Sequence, residues 1–270
     1  MEFKDILVHM DNSQQCEARL ELATALAREH TAHLSGLYVI PHSHYAPQGR
    51  ALELKVLQAR EQFQSLTSKV DIPVEFLCAD WGITGVSTVE ILNYYAHRKD
   101  LIIVGQLDQN RVQESTHAEL PERVVLGSGR PVLVVPYTGT FSSAGERVLV
   151  AWKSGRASAR ALHDAMPFLF KAKEVFVVTV MSSADQQAAD IYLDAGIRTH
   201  LERHNIKVRE ENLETGDVPV GSVLMNYAWE HGCDLLVTGV YAQAPHGSLV
   251  VGPVTRDLFE HMTVPVLMSH

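Results

Sequence analysis

The chain has 270 residues, 46% hydrophobic and 20% charged, a composition that excludes a disordered or fibrous protein. Its formal net charge of -9 and isoelectric point near 5.8 argue against a general affinity for nucleic acid or anionic membrane, although local basic pockets stay open. No apolar run approaches the roughly 18 residues of a membrane helix, and the N-terminus carries no signal-peptide core, so we expect a cytoplasmic protein. Three widely spaced cysteines without metal-ligand spacing are expected to be reduced there.

The first half of the chain alternates apolar runs with stretches of helical periodicity. The apolar runs predict strands, at residues 5–10, 33–40, 72–78, 100–105 and 131–136. The stretches between them predict helices, at about 13–30, 48–69, 84–98 and 118–127. Because the runs are continuous rather than alternating, we expect a parallel sheet with helices on both faces.

The second half follows the same plan after a linker, YTGTFSSAGE, rich in Gly, Ser and Thr. Its predicted strands are at residues 147–152, 174–181, 206–212, 234–239 and 264–268. Its predicted helices are at about 155–171, 184–204, 217–231 and 249–262. The two halves therefore predict two α/β domains, at 1–138 and 145–270.

Internal similarity supports this division. DILVHMDNSQQCEARLELA in the first half matches RVLVAWKSGRASARALHDA in the second, and RPVLVVP matches VPVLMSH. Each half is predicted to be a doubly wound, Rossmann-like domain with a five-stranded parallel sheet. Its ligand site is expected beyond the carboxyl ends of the strands, where the strand order reverses.

The loop after the fourth strand of the second half has the sequence GVYAQAPHGSLVVGPVT. It lies between an apolar strand and a stretch with the apolar spacing of a helix. Phosphate-binding sites use this order, because glycines let the backbone approach an anion and the helix N-terminus offers unpaired N–H groups. The segment is therefore a candidate phosphate loop.

Several segments together resemble the universal stress protein family, in a tandem form with two family domains in one chain. They are the opening ILVHMDNS, the strand ends DLIIVGQ and DLLVTGVY, and the closing segments LGSGRPVLVVP and VGPVTRDLFEHMTVPVLMSH. In nucleotide-binding members, a loop of pattern G-x2-G-x9-G-[S/T], followed by a threonine, holds the phosphates and ribose. An acid after the first strand and a valine after the core of the second strand help to place the nucleoside.

The resemblance implies an ATP site at the strand ends and loop of the second half. Its residues are Trp152, Lys153, Val180, Gly239, Ala242, Gly252, Pro253, Val254 and Thr255. Ala242 replaces the second glycine of the pattern, Pro253 replaces the Ser/Thr residue, and Lys153 replaces the first-strand acid. Ala242 adds a methyl group where backbone must approach phosphate, and Pro253 removes a hydroxyl and an N–H donor. Lys153 offers a cation to the phosphates instead.

The first half departs further from the family pattern. The same intervals counted from Gly105 place Asp108 at the second glycine, Ala118 at the third and Glu119 at the Ser/Thr position. Carboxylates in a poorly hydrated cleft would repel a triphosphate. Asp11 retains the first-strand acid, but we expect ATP to bind in the second half only.

Histidines gather where the crevice of the first half is expected to open. His42 and His44 follow the second strand, and His9 ends the neighbouring first strand. Three imidazoles at one crevice could ligate zinc or another transition metal. The competing interpretation is two solvated loop histidines and one packed strand residue.

No catalytic constellation is evident, since Ser154 and Ser158 lie near Lys153 without a His–Asp pair, and Ser154 is expected to cap the following helix. The resemblance implies a non-enzymatic stress-response protein that binds ATP through its second half. The alternatives are an interaction module without nucleotide, and a metal- or metabolite-binding protein with slow hydrolase activity. The halves are expected to pair through their last strands, PVLVVP and PVLMSH, which leaves room for a further homodimer.

Overall fold

The structure is a computed structural model that describes residues 2–40, 49–82, 86–107, 120–181, 196–243 and 250–270. Its contacts divide the chain into two compact units, Glu2–Ser143 and Ala144–His270, which we call the first and second domain. Both domains alternate strands with helices along the chain.

The first domain is a parallel sheet covered by helices. Its strands are β1 Asp5–Met10, β2 His33–Val39, β3 Val74–Ala79, β4 Leu101–Gly105 and β5 Val132–Val135. Its helices within the described ranges are α1 Cys16–His30, α2 Arg50–Thr67, α3 Thr88–Ala96 and α4 Leu120–Gly127. The strand order is β3-β2-β1-β4-β5, and every pair is parallel. α1 packs with α2 and α3 packs with α4, so helices lie on both faces.

The second domain repeats this arrangement. Its strands are β6 Arg147–Ala151, β7 Glu174–Met181, β8 Val208–Glu214, β9 Leu235–Gly239, β10 Ala242–Gln243, β11 Val250–Val251 and β12 Val266–Ser269. Its helices within the described ranges are α5 Arg156–Leu169, α6 Gly196–Arg203, α7 Val220–Glu230 and α8 Pro253–His261. The main strands run parallel in the order β8-β7-β6-β9-β12. β10 and β11 form a separate antiparallel ribbon.

The predicted fold class, two α/β domains with parallel sheets, is confirmed. The central strands β1, β4, β6 and β9 are buried along most of their length, as continuous apolar runs require. The outer strands β3 and β8 are largely exposed or half-buried. Among the described residues of their own domain, each has a neighbouring strand on one side only. β8 also carries the consecutive charges Arg209, Glu210 and Glu211 instead of an apolar run.

Two local predictions are wrong. The helix predicted over 249–262 begins at Pro253, because Val250–Val251 is already paired in the ribbon. Ser154 does not cap α5, since that helix begins at Arg156 after Gly155, and no side chain caps it. In the described ranges, none of the helices has both the length and the apolar character that crossing a bilayer requires.

An aspartate just before the fourth strand fixes the start of the first strand in both domains. The carboxylate of Asp234 accepts three backbone hydrogen bonds, from Gly145 at 3.1 Å, Glu146 at 3.0 Å and Arg147 at 2.9 Å. The carboxylate of Asp100 accepts two, from Lys4 at 2.7 Å and Asp5 at 3.0 Å. The internal repeat thus extends to these side chain–backbone contacts.

Candidate functional site

The ligand site of the second domain is expected at the carboxyl ends of the strands, at the point where the strand order reverses. The chain leaves β6 for β7 and β8 on one side and returns through β9 and β12 on the other. β6 and β9 are neighbours, with Ala151 opposite Thr238. The switch point therefore lies between Lys153, after β6, and the loop that begins at Gly239.

The described part of this loop is held by its own backbone. β10 and β11 pair as a short ribbon at the two ends of the loop. The N–H of Val240 donates to the carbonyl of Ser269 at 2.7 Å, which ties the start of the loop to β12. The N–H of Gly252 donates to the carbonyl of Tyr241 at 2.9 Å. The third glycine of the family pattern therefore uses its N–H within the protein.

The loop ends at the N-terminus of α8. Gly252 is extended and contributes no side-chain cap, and Pro253 occupies the first turn. Proline suits the first helical position because its missing N–H would have no intrahelical partner there. The N–H groups of Val254 and Thr255 belong to the same first turn, where a helix carries unpaired donors and a partial positive charge. Because of Pro253, this helix start has one N–H donor fewer than a helix without proline in its first turn.

The two retained glycines meet different surroundings. A Cβ built on Gly239 would overlap the backbone of Ala157 and Ser158 in α5. A Cβ built on Gly252 would meet only the carbonyl oxygen of Tyr241, at 3.4 Å. Gly239 is therefore required for the helix to pack against the sheet, whereas Gly252 lies in a more open place.

The remaining candidate residues of the second domain lie at the same edge of the sheet. Trp152 is 8% exposed, and its indole N–H has no hydrogen-bond partner in the part of the chain that the structure describes. Val180 is half-buried near the end of β7, and Lys153 is exposed. Tyr241 is 65% exposed. Tyr241, rather than Trp152, presents an aromatic surface to solvent.

A contact that the sequence did not indicate fixes α8 in place. The carboxylate of Asp257 accepts a hydrogen bond from the hydroxyl of Ser222 at 3.2 Å and lies 3.0 Å from His261 Nδ1. Gly221 of α7 packs so closely that a built Cβ would overlap this carboxylate. An acid in an amphipathic helix usually faces solvent, so no local signal marks Asp257 as an anchor.

In the first domain, an ion pair occupies the corresponding edge of the sheet. Arg19 Nη2 lies 2.9 Å from Asp11 Oδ2, and the Arg19 side chain is 3% exposed. Asp11 Oδ1 accepts hydrogen bonds from the N–H of Ser13 at 2.9 Å and its hydroxyl at 2.5 Å. His9 Nδ1 lies 3.9 Å from Asp11 Oδ2. The first-strand acid is therefore engaged by the protein itself.

The charges of this pair stabilise each other. Burial alone would raise the pKa of Asp11, but Arg19, His9 and the hydrogen bonds from Ser13 outweigh burial and hold it well below its usual range. Burial alone would lower the pKa of Arg19, but Asp11 outweighs that effect and raises it. Nearby, burial is the main cause that raises the pKa of Tyr38 to about 12. Asp11 and Arg19 are both ionised at neutral pH.

We expect the stability of the first domain to fall in acid because of Asp11. A carboxyl group with a lowered folded-state pKa stabilises the fold above its unfolded value of about 3.9, and that contribution is lost as the pH falls below it. The Asp11→Asn variant should be less stable at neutral pH and show a flatter decline between about pH 5 and pH 2. Urea unfolding across this range tests the prediction.

The matched control is Asp71→Asn, which removes an exposed carboxylate of the same domain. Its pH dependence should follow that of the wild type. Equal slopes for the wild type and Asp11→Asn would contradict the prediction.

The structure describes only part of the predicted metal site. His9 is 7% exposed and packs beside Asp11 at the end of β1. His42 and His44 lie outside the described residues, as do Asp108, Ala118 and Glu119 of the first-domain loop. Among the described residues, no group of three His, Cys, Asp or Glu side chains could hold a metal ion. The site at His9, His42 and His44 stays a prediction.

Solved structures share this fold. A universal stress protein from Archaeoglobus fulgidus DSM 4304 matches 98% of the chain and 96% of its own length, at 16% identity and a TM-score of 0.71. A putative universal stress protein from Pseudomonas aeruginosa UCBPP-PA14 matches 99% of the chain and 93% of its own length, at 16% identity and a TM-score of 0.62. A universal stress protein in complex with cAMP matches 51% of the chain and 100% of its own length, at 20% identity and a TM-score of 0.36.

Comparison with sequence families is more specific. No curated protein matches the chain at a significant level. The model of the universal stress protein family matches twice, over residues 2–136 and over residues 145–270. These matches cover nearly the whole chain and confirm the tandem arrangement. The chain belongs to the universal stress protein family, with two family domains in tandem.

Proposed function

We propose that this protein is a non-enzymatic stress-response protein of the cytoplasm that binds adenine nucleotide, ATP above all, through its second domain. The observation that carries the proposal is the N-terminus of α8, which follows Gly252 at the end of the loop after β9 and which no side chain of the described residues caps. A helix start of this kind binds phosphate through its first-turn N–H groups and its partial positive charge.

The surrounding side chains suit the parts of a nucleotide. Lys153 is exposed after β6, where it can offer a cation to the phosphates. Val254 and Thr255 are proposed to contact the phosphates and ribose, and Val180 to contact the nucleoside. Tyr241 is exposed in the loop and supplies an aromatic face for a base.

The proposed location rests on the cysteines. Cys16, Cys78 and Cys233 are all free thiols in the structure. Free thiols are typical of a reducing compartment. This supports the cytoplasm as the place where the protein works.

The double variant Ala242→Gly and Pro253→Ser should tighten ATP binding. The proline-to-serine change restores an N–H and a hydroxyl at the helix start, and the alanine-to-glycine change removes a methyl group from the loop. One added hydrogen bond to a charged group corresponds to an affinity gain of about tenfold. Isothermal titration calorimetry with Mg-ATP, on the variant and the parent, measures this gain.

Two lysine variants test where the nucleotide binds. Lys153→Ala should weaken binding, whereas Lys207→Ala, which removes an exposed lysine before β8, should not. Unchanged or weaker affinity in the double variant would contradict the assignment of the loop.

An interaction module without nucleotide is the second candidate function. It is favoured by the hydrogen bond from the Gly252 N–H to the Tyr241 carbonyl, because this N–H is then not available to bind a phosphate. Absence of ATP binding in both the parent and the double variant would support this candidate. Phosphate release from ATP above the buffer rate would instead favour the slow hydrolase.

Pairing of the two domains through the strands β5 and β12 belongs to the same proposal. A paired arrangement would satisfy both strand edges within one chain. A further homodimer would then use other surfaces. Both statements stay predictions.

A further inference from the structure

A cation lies buried in the crevice of the first domain. Arg19 belongs to α1, which packs against β1 and β4, and its side chain is 3% exposed. Its Nη1 lies so close to Gly105, the last residue of β4, that a Cβ built on this glycine would overlap it. The guanidinium therefore fills the space at the end of β4, next to the end of β1.

Asp11 holds this guanidinium from the side of β1. The ion pair joins Arg19 Nη2 and Asp11 Oδ2 at 2.9 Å, while Asp11 Oδ1 is occupied by Ser13. Arg19 Nε is buried without a hydrogen-bond partner among the residues that the structure describes. A guanidinium in such surroundings depends on its carboxylate, because removing one member of a buried pair leaves an uncompensated charge.

The loop that carries Asp11 is tied to two neighbouring elements. The side-chain amide of Asn12 donates to the carbonyl of Lys55 in α2 at 3.0 Å. Its oxygen accepts a hydrogen bond from the hydroxyl of Tyr38 in β2 at 2.7 Å. The acid is thus held in the position that its partner requires.

The second domain has neither member of this pair. The ungapped match between the first strand–helix units aligns Asp11 with Lys153 and Arg19 with Ala161. Ala161 is 1% exposed, so the buried position is the same but its charge is absent. Lys153 is exposed. Both charges differ together between the domains, as expected of residues that act as one unit.

We propose that the first domain contains a guanidinium-binding site at the carboxyl edge of its sheet and that the chain fills this site with its own Arg19. The side chain occupies the place where doubly wound folds bind their ligands, and it neutralises the acid there. The Arg19 side chain therefore blocks the expected ligand site of the first domain. This inference goes beyond nucleotide binding by the second domain and does not rest on it.

Chemical rescue tests the proposal directly. Arg19→Ala, which installs the residue of the second domain, should lower the melting temperature by about 5–10 °C. Methylguanidinium chloride at millimolar concentration should restore part of this loss in a saturable way, and potassium chloride should not. The control Arg28→Ala, at an exposed position of the same helix, should show neither effect.

The double variant Asp11→Asn and Arg19→Ala identifies the partner of the added cation. It should show no rescue, because the carboxylate that binds methylguanidinium is absent. Failure of methylguanidinium to stabilise Arg19→Ala, or equal stabilisation of the double variant, would overturn the proposal.

A measurement on the wild-type protein covers the case in which Arg19→Ala does not fold. Nuclear magnetic resonance of the arginine side chains should show the Arg19 Nε–H exchanging with water far more slowly than that of exposed Arg28. Slow exchange is the signature of a buried, immobilised guanidinium. Exchange as fast as that of Arg28 would contradict an Arg19 that fills the crevice.

Discussion

Replacement of Gly239 by alanine is expected to destabilise the second domain by about 3 kcal/mol or more. The added Cβ would overlap the backbone of Ala157 and Ser158, so α5 must move away from the sheet to admit it. Main chain cannot rotate aside as the end of a flexible side chain can. Urea unfolding of the variant and the parent measures the loss of free energy.

Gly252→Ala is the matched control in the same loop. Its Cβ would meet one carbonyl oxygen at 3.4 Å, and its backbone has a φ of -66°, which alanine adopts readily. The expected change in stability is less than about 1 kcal/mol. A Gly239→Ala protein as stable as Gly252→Ala would show that the first glycine is not required for packing.

Asp234→Ala is expected to destabilise the second domain by about 3 kcal/mol. The carboxylate accepts three backbone N–H groups at the start of β6, and alanine leaves all three without this acceptor. Asp234→Asn keeps one acceptor oxygen and should lose less. Thermal unfolding should show melting temperatures that fall from the wild type to Asp234→Asn and then to Asp234→Ala.

Asp100→Ala supplies the comparison between domains. Asp100 accepts two hydrogen bonds rather than three, so its removal should cost less than that of Asp234. Equal stability of Asp234→Ala and the wild type would mean that water replaces the carboxylate at no cost. The hydrogen bonds to the Asp234 carboxylate would then have no role in holding the start of β6.

The order of strands and helices along the chain follows from the sequence because its signals are local. Apolar runs such as those of β1 and β9 mark buried strands, and the match between the halves predicts the same order twice. The ribbon of β10 and β11 has no such signal, since two-residue strands are too short for any periodicity. The predicted start of α8 is therefore too early in the chain.

The crevice of the first domain shows the limit of the same reasoning. The family pattern singles out Asp11, but its partner Arg19 looks like an ordinary surface arginine of an amphipathic helix. Its burial depends on Gly105, which is distant in sequence and becomes its neighbour only when α1 packs against β4. Charge compensation of this kind appears only in three dimensions.

The outer strands of the two domains differ in their tendency to pair with another molecule. β8 carries four charged residues, Arg209, Glu210, Glu211 and Glu214, and charges on an edge strand discourage a second strand from adding to it. β3 has the sequence VEFLCA, in which Glu75 is the sole charge, and Val74 is 40% exposed. When the protein is concentrated, intermolecular strand addition and aggregation should therefore begin at β3, with Glu75 as the side chain that opposes it.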